Sequence, residues 1–140
     1  MRILGLDYGS KTVGVAVSDE NEFLASGVET IRREREDKLR KTYARIETLI
    51  TELGVQKIVL GLPLTLDGEE GVRVLKTKDF GENLARRTGL DIVYQDERLT
   101  TAEAYALMSE SGVKKDKQLQ MVDEVAATII LQDYLDSKKG

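Results

Sequence analysis

The chain has 140 residues, with 21 Lys and Arg against 25 Asp and Glu, a formal net charge of −4, and neither His nor Cys. That length suits one domain spanning residues 1–140, with room for a real core. The missing residue types exclude disulfide frameworks, thiolate nucleophiles, imidazole bases and the usual zinc sites. Chemistry must then run on carboxylates, hydroxyls, Lys, Arg, Tyr, backbone dipoles or a hard cation such as Mg²⁺ or Mn²⁺.

The run Arg2 to Asp7 reads as a first strand, with no signal peptide ahead of it, so residence in the cytoplasm is the expectation. Val13 to Ser18 alternates and reads as a second strand, and Phe23 to Ile31 as a third. Short loops make these an antiparallel meander. Leu39, Tyr43, Ile46, Leu49, Ile50 and Leu53 then recur at helical spacing, and Gly54 supplies a stop. Lys57 to Leu60 is a buried-type strand, followed by a helix from Val72 to Arg87, a fifth strand from Asp91 to Gln95, and a helix opening at Thr100. Glu103, three residues on from Thr100, has the spacing of a capping box. A last helix runs from about Lys117 to Leu135. The order predicts an α/β fold: a mixed five-stranded sheet with helices on both faces.

Asp7 ends the first strand, where open α/β sheets place ligands, although it could also cap the turn into Tyr8-Gly9-Ser10. Asp96 and Glu97 repeat the theme at the end of the fifth strand. Strand alternation lets only one of the two share a site with Asp7. Asp123 falls on the apolar stripe of the last helix, formed by Leu119, Val122, Ala126, Ile129, Ile130 and Tyr134. There it needs a cation, unless the helix begins near Met121 and Asp123 is a dipole partner in its first turn. Three acids from the first strand, the fifth strand and the last helix can converge across such a sheet and bind one or two Mg²⁺ or Mn²⁺ ions. Two metals can activate a water and stabilise the leaving oxygen in phosphodiester cleavage.

Four motifs occur in order along the chain. They are Asp7-Tyr8-Gly9-Ser10-Lys11-Thr12-Val13-Gly14, Gly61-Leu62-Pro63-Leu64 with Asp67-Gly68, Asp96-Glu97-Arg98-Leu99-Thr100-Thr101-Ala102-Glu103, and Asp123-Glu124-Val125-Ala126-Ala127-Thr128. Together they resemble the YqgF (RuvX) family of Holliday-junction-resolvase-like proteins. The resemblance implies an RNase H-like fold with strand order 3-2-1-4-5 and a metal-dependent nuclease site on Asp7, Glu97 and Asp123. It also implies a function in 5′-end processing of pre-16S rRNA, with branched-DNA resolution or a non-catalytic ribosome-associated role as alternatives.

The cations placed to meet nucleic acid are Lys11 beside Asp7, Arg98 after Glu97, and Lys114, Lys115 and Lys117 ahead of Asp123. Thr100 and Thr101 open a helix whose free N–H groups suit a phosphate. The run Arg32, Arg33, Arg35, Lys38, Arg40 and Lys41 is interleaved with Glu34, Glu36 and Asp37 and reads as a solvated surface. Few aromatics argue against a base-stacking platform, leaving structured RNA or branched DNA held by phosphate contact and shape. The sequence sets no oligomeric state.

Overall fold

A computed structural model describes residues 1–65, 71–97 and 99–139. The elements are β1 (Arg2–Tyr8), β2 (Thr12–Ser18), β3 (Ala25–Arg32), α1 (Arg40–Leu53), β4 (Val55–Leu62), α2 (Val72–Thr88), β5 (Ile92–Asp96), α3 (Thr100–Glu110) and α4 (Lys115–Lys139). The strands form one sheet in the order β3-β2-β1-β4-β5. The meander β1–β2–β3 is antiparallel, and β1–β4 and β4–β5 are parallel. Two-residue alternation and short turns set the first half, and helical crossovers set the second, as the sequence pattern predicts.

Alternation also assigns the faces. Leu4, Leu6, Tyr8, Val13 and Val15 pack with Tyr43 and Ile46 of α1 and Phe80 and Leu84 of α2. Tyr8 stacks on Phe80 with ring centroids 4.2 Å apart. On the other face Ile3, Ala16 and Val59 meet Ala127, Ile130, Leu131 and Leu135 of α4. Glycine lets α4 lie almost on the sheet. A Cβ at Gly14 would overlap the carbonyl oxygen of Asp123, and one at Gly5 would come 2.7 Å from Cβ of Leu131. Two helices stop as expected, at Gly54 and Gly89, both left-handed and both returning an N–H to the last turn.

Three local expectations change, and the sheet adds one irregularity. The third strand starts at Ala25, because the Asp19 carboxylate accepts the N–H groups of Phe23 (2.8 Å) and Leu24 (2.9 Å) and folds them into a turn. A bulge shifts the β2–β3 register between Val15 and Ala16. The capping box does not form: Thr100 lies inside the helix and is buried, Leu99 is the cap residue at φ 66°, and the Glu103 N–H bonds the Leu99 carbonyl. Finally, α4 begins at Lys115, and Leu119 is 69% exposed; of the expected stripe, Val122, Ala126 and Ile129 pack with Ala104 of α3, while Ile130 and Tyr134 pack with the sheet beside Ala127, Leu131 and Leu135. No helix among the described residues is long and apolar enough to cross a membrane.

Candidate active site

Asp7 lies on the α4 face of β1, in register opposite Gly14 of β2. Gly14 lies directly beneath the Asp123 backbone. The close approach that glycine permits therefore brings the first and last acids to one place. Asp123 is half-buried, well past the first turn of a helix that starts at Lys115, which removes the dipole-partner reading.

The fifth-strand acids part company. Gln95 pairs with Gly61 and Asp96 with Leu62, so Asp96 turns to the opposite face and is exposed. Glu97 returns to the α4 side, where its Oε2 lies 2.9 Å from the position a Gly61 Cβ would take. Its N–H bonds the Leu62 carbonyl at 3.1 Å. A side chain on residue 61 would expel this carboxyl group.

Asp7 and Glu97 are hydrogen-bonded through their side chains. Burial pushes Asp7 up to about 6; the Glu97 hydrogen bond holds it down, and the Asp123 charge raises it further. Burial, then the Asp7 charge and hydrogen bond, push Glu97 up to about 9. Both carboxyl groups are thus held above the ordinary carboxylate range, Glu97 the further, and the pair titrates as a unit. Asp123 joins by charge, and among the described residues no three acidic side chains converge tightly enough to cage an ion as they stand.

One cation at this site escaped the sequence reading. Arg73, in the first turn of α2, lowers both acids by its charge. Its Nη1 bonds Glu36 at 2.5 Å, its Nη2 reaches the Tyr8 carbonyl at 3.5 Å, and its guanidinium sits 5.1 Å from the Tyr8 ring centre. An Arg in a first turn opposes the helix dipole and calls for an acidic partner, a signal that was available. Arg33 supports the same strand end, donating to the Gly9 carbonyl at 2.6 Å and the Glu36 carbonyl at 3.2 Å.

Of the expected phosphate contacts, Lys11 is exposed in the β1–β2 hairpin, and its carbonyl accepts the Arg33 N–H. Thr100 is 4% exposed and Thr101 faces outward. Lys114 precedes α4, while Lys115 and Lys117 lie within its first turn, all exposed. Arg98 and the Asp67-Gly68 pair lie outside the described residues.

The model of the family described as "RuvX: Holliday junction resolvase" matches residues 1–137. The chain belongs to the RuvX family. Its relatives include a protein of Agathobacter rectalis, 57% identical over 97% of this chain and 95% of its own, and one of Lachnospira eligens, 46% identical over 99% of each. Both carry the name "Putative pre-16S rRNA nuclease". Thermus thermophilus RuvC, solved in complex with a Holliday junction substrate, superposes with a TM-score of 0.63 at 15% identity over 100% of this chain and 97% of its own. The fowlpox virus resolvase, solved with junction DNA, gives 0.59 at 13% identity over all of both chains. These likenesses establish an RNase H-like fold for this RuvX chain.

Proposed function

We propose that this RuvX chain is a cytoplasmic, single-domain, metal-dependent nuclease that hydrolyses phosphodiester bonds in structured RNA, in the 5′-end processing of pre-16S rRNA. The observation that carries the reading is the Asp7–Glu97 carboxyl pair, half-buried beside Asp123 at the C-terminal ends of β1 and β5 in a chain of this family. The names of the close relatives supply the RNA.

The donor set fits a hard dication. The pair holds a proton between two carboxylate groups, and a cation bound by Asp7, Glu97 and Asp123 would relieve the repulsion that the proton now relieves. Mg²⁺ or Mn²⁺ there would supply a water of lowered pKa and charge stabilisation at the leaving oxygen, by a two-metal mechanism. The protein's own part is electrostatic. Asp7 and Glu97 keep fixed positions through β1 and Gly61. Arg73 offsets their charge. Lys11, Arg98, the Thr101 N–H group, and Lys114, Lys115 and Lys117 meet phosphates, whereas the Thr100 N–H is already bonded to the Glu97 carbonyl at 3.1 Å.

The test compares Mg²⁺- and Mn²⁺-dependent cleavage of a pre-16S rRNA fragment and a four-way DNA junction, with Asp7→Asn as control. Metal-dependent cleavage of the RNA, lost in Asp7→Asn while binding persists, is expected. Preferential junction cleavage would make this a resolvase. Binding of RNA with no cleavage in either metal would make it a non-catalytic factor.

A further inference from the structure

Several cations of this acidic chain are matched by carboxylates. Arg45 meets Glu29, Arg73 and Lys76 meet Glu36, Arg87 meets Glu47, and Lys138 meets Glu22. The end of β3 and the connection to α1 depart from that pattern. Among the described residues Arg32, Lys38, Arg40 and Lys41 form no ion pair, and all four are exposed. With Arg33 and Leu39 they line an open groove of about 750 Å³.

The mixed charges of this run suggest a self-neutralised surface, but its folding separates them. The Glu36 carboxylate turns to Arg73 and Lys76, and Asp37 meets Arg35 at 3.5 Å. Glu34 and Asp37 are the acids that remain on the groove, against five cations. A concave cluster of unmatched cations in a chain of net charge −4 creates a local positive potential that the overall composition hides.

The groove abuts the site end of the sheet. Arg33 donates its N–H to the Lys11 carbonyl at 2.8 Å and its Nη2 to the Gly9 carbonyl at 2.6 Å, two residues past Asp7. Arg32 pairs with Thr12 in the sheet, and its Nη2 reaches the Gln120 carbonyl of α4 at 3.1 Å. Among the described residues no aromatic side chain lines the groove, so it offers charge rather than stacking.

We infer that this groove is a second contact surface for a nucleic-acid phosphate backbone, holding the stretch that flanks the bond presented to Asp7 and Glu97. The inference rests on the nuclease reading for what lies at the acids, but it concerns binding alone. Substrate length then matters: a strand long enough to reach the groove gains contacts that a minimal phosphodiester cannot make.

The experiment neutralises Lys38→Gln, Arg40→Gln and Lys41→Gln together, all exposed side chains, in an Asp7→Asn background that cannot cleave. Arg86→Gln, an exposed cation at the far end of α2, controls for net charge. Binding of matched RNA and DNA hairpins with single-stranded flanks is measured from about 0.05 to 0.2 M salt, with Ca²⁺ present. Each lost phosphate contact lowers the slope of log K against log salt by about 0.7–0.9, so the triple variant loses about 2–3 in slope. At about 0.1 M salt its affinity should fall tenfold or more, while Arg86→Gln stays within about twofold of its background. With Asp7 restored, hydrolysis of bis(p-nitrophenyl) phosphate should be unchanged by the triple substitution. The RNA and DNA arms show whether the groove reads the shared backbone or the 2′-hydroxyl. Unchanged slope and affinity in the triple variant would overturn the groove and leave the nuclease reading standing. Weakened binding by a restored protein that cleaves nothing would support the groove and overturn the nuclease reading. No binding of either hairpin by the Asp7→Asn background would overturn both.

Discussion

Replacing Glu97 by Gln tests the acid pair directly. In the folded chain Glu97 holds its proton up to about pH 9, against 4.5 for the ordinary group. Between those values the native state binds a proton that the unfolded state has released, so native stability falls as pH rises through this window. At about pH 7.5 the difference of roughly three pH units corresponds to about 4 kcal/mol. Gln keeps the donor to Asp7 and removes the titration, but still carries the cost of a buried amide. A net gain of about 2–3 kcal/mol is expected, or roughly 10 °C in midpoint for a domain of this size. Urea and thermal unfolding in EDTA, from about pH 4.5 to 9, measure it. The parent should lose stability across the range, Glu97→Gln should lose less, and the two should meet near the acid end. Millimolar Mg²⁺ should then raise the parent midpoint more than that of the variant, which lacks one carboxylate ligand. A variant less stable than the parent at pH 7.5 in EDTA, or parallel pH profiles, would refute the shared-proton account.

Two further outcomes follow from the same geometry. Gly14→Ala places a methyl group on the Asp123 carbonyl, so α4 must lift from β2; a loss of about 3 kcal/mol or more in urea unfolding is expected, with activity falling as Asp123 moves away from Asp7. Arg73→Gln removes the cation that lowers both acids, so both rise further, and the rising limb of the pH–rate profile should move to higher pH. Stability should fall by only about 1 kcal/mol, because the Glu36 pair is partly exposed. An unmoved profile would separate Arg73 from the acids.

Hydrophobic period alone determined most of the architecture. The apolar run from Ile3 to Leu6, alternation in Val13 to Ser18 and 3.6-residue spacing from Leu39 to Leu53 are local facts, and chain connectivity then leaves few sheet orders. The acids Asp7 and Asp123 were legible for the same reason: a charge on an apolar strand end or stripe violates the local pattern. Element ends were less legible, because Asp19 and Leu99 set them through backbone bonds that no periodicity records. What the tertiary structure decided was everything that depends on two distant segments at once. Glu97 rather than Asp96 meets Asp7 because β4–β5 register puts Gly61 beneath it. Leu119 is exposed although it lies on the stripe, whose packed members Val122, Ala126 and Ile129 meet Ala104 of α3. Arg73 belongs to the site, and among the described residues Arg32, Lys38, Arg40 and Lys41 form no ion pair, because Glu36 turns across the fold to α2. Charge pairing falls off with distance through space and is blind to distance along the chain, so a run of alternating signs in sequence carries no information about which charges cancel.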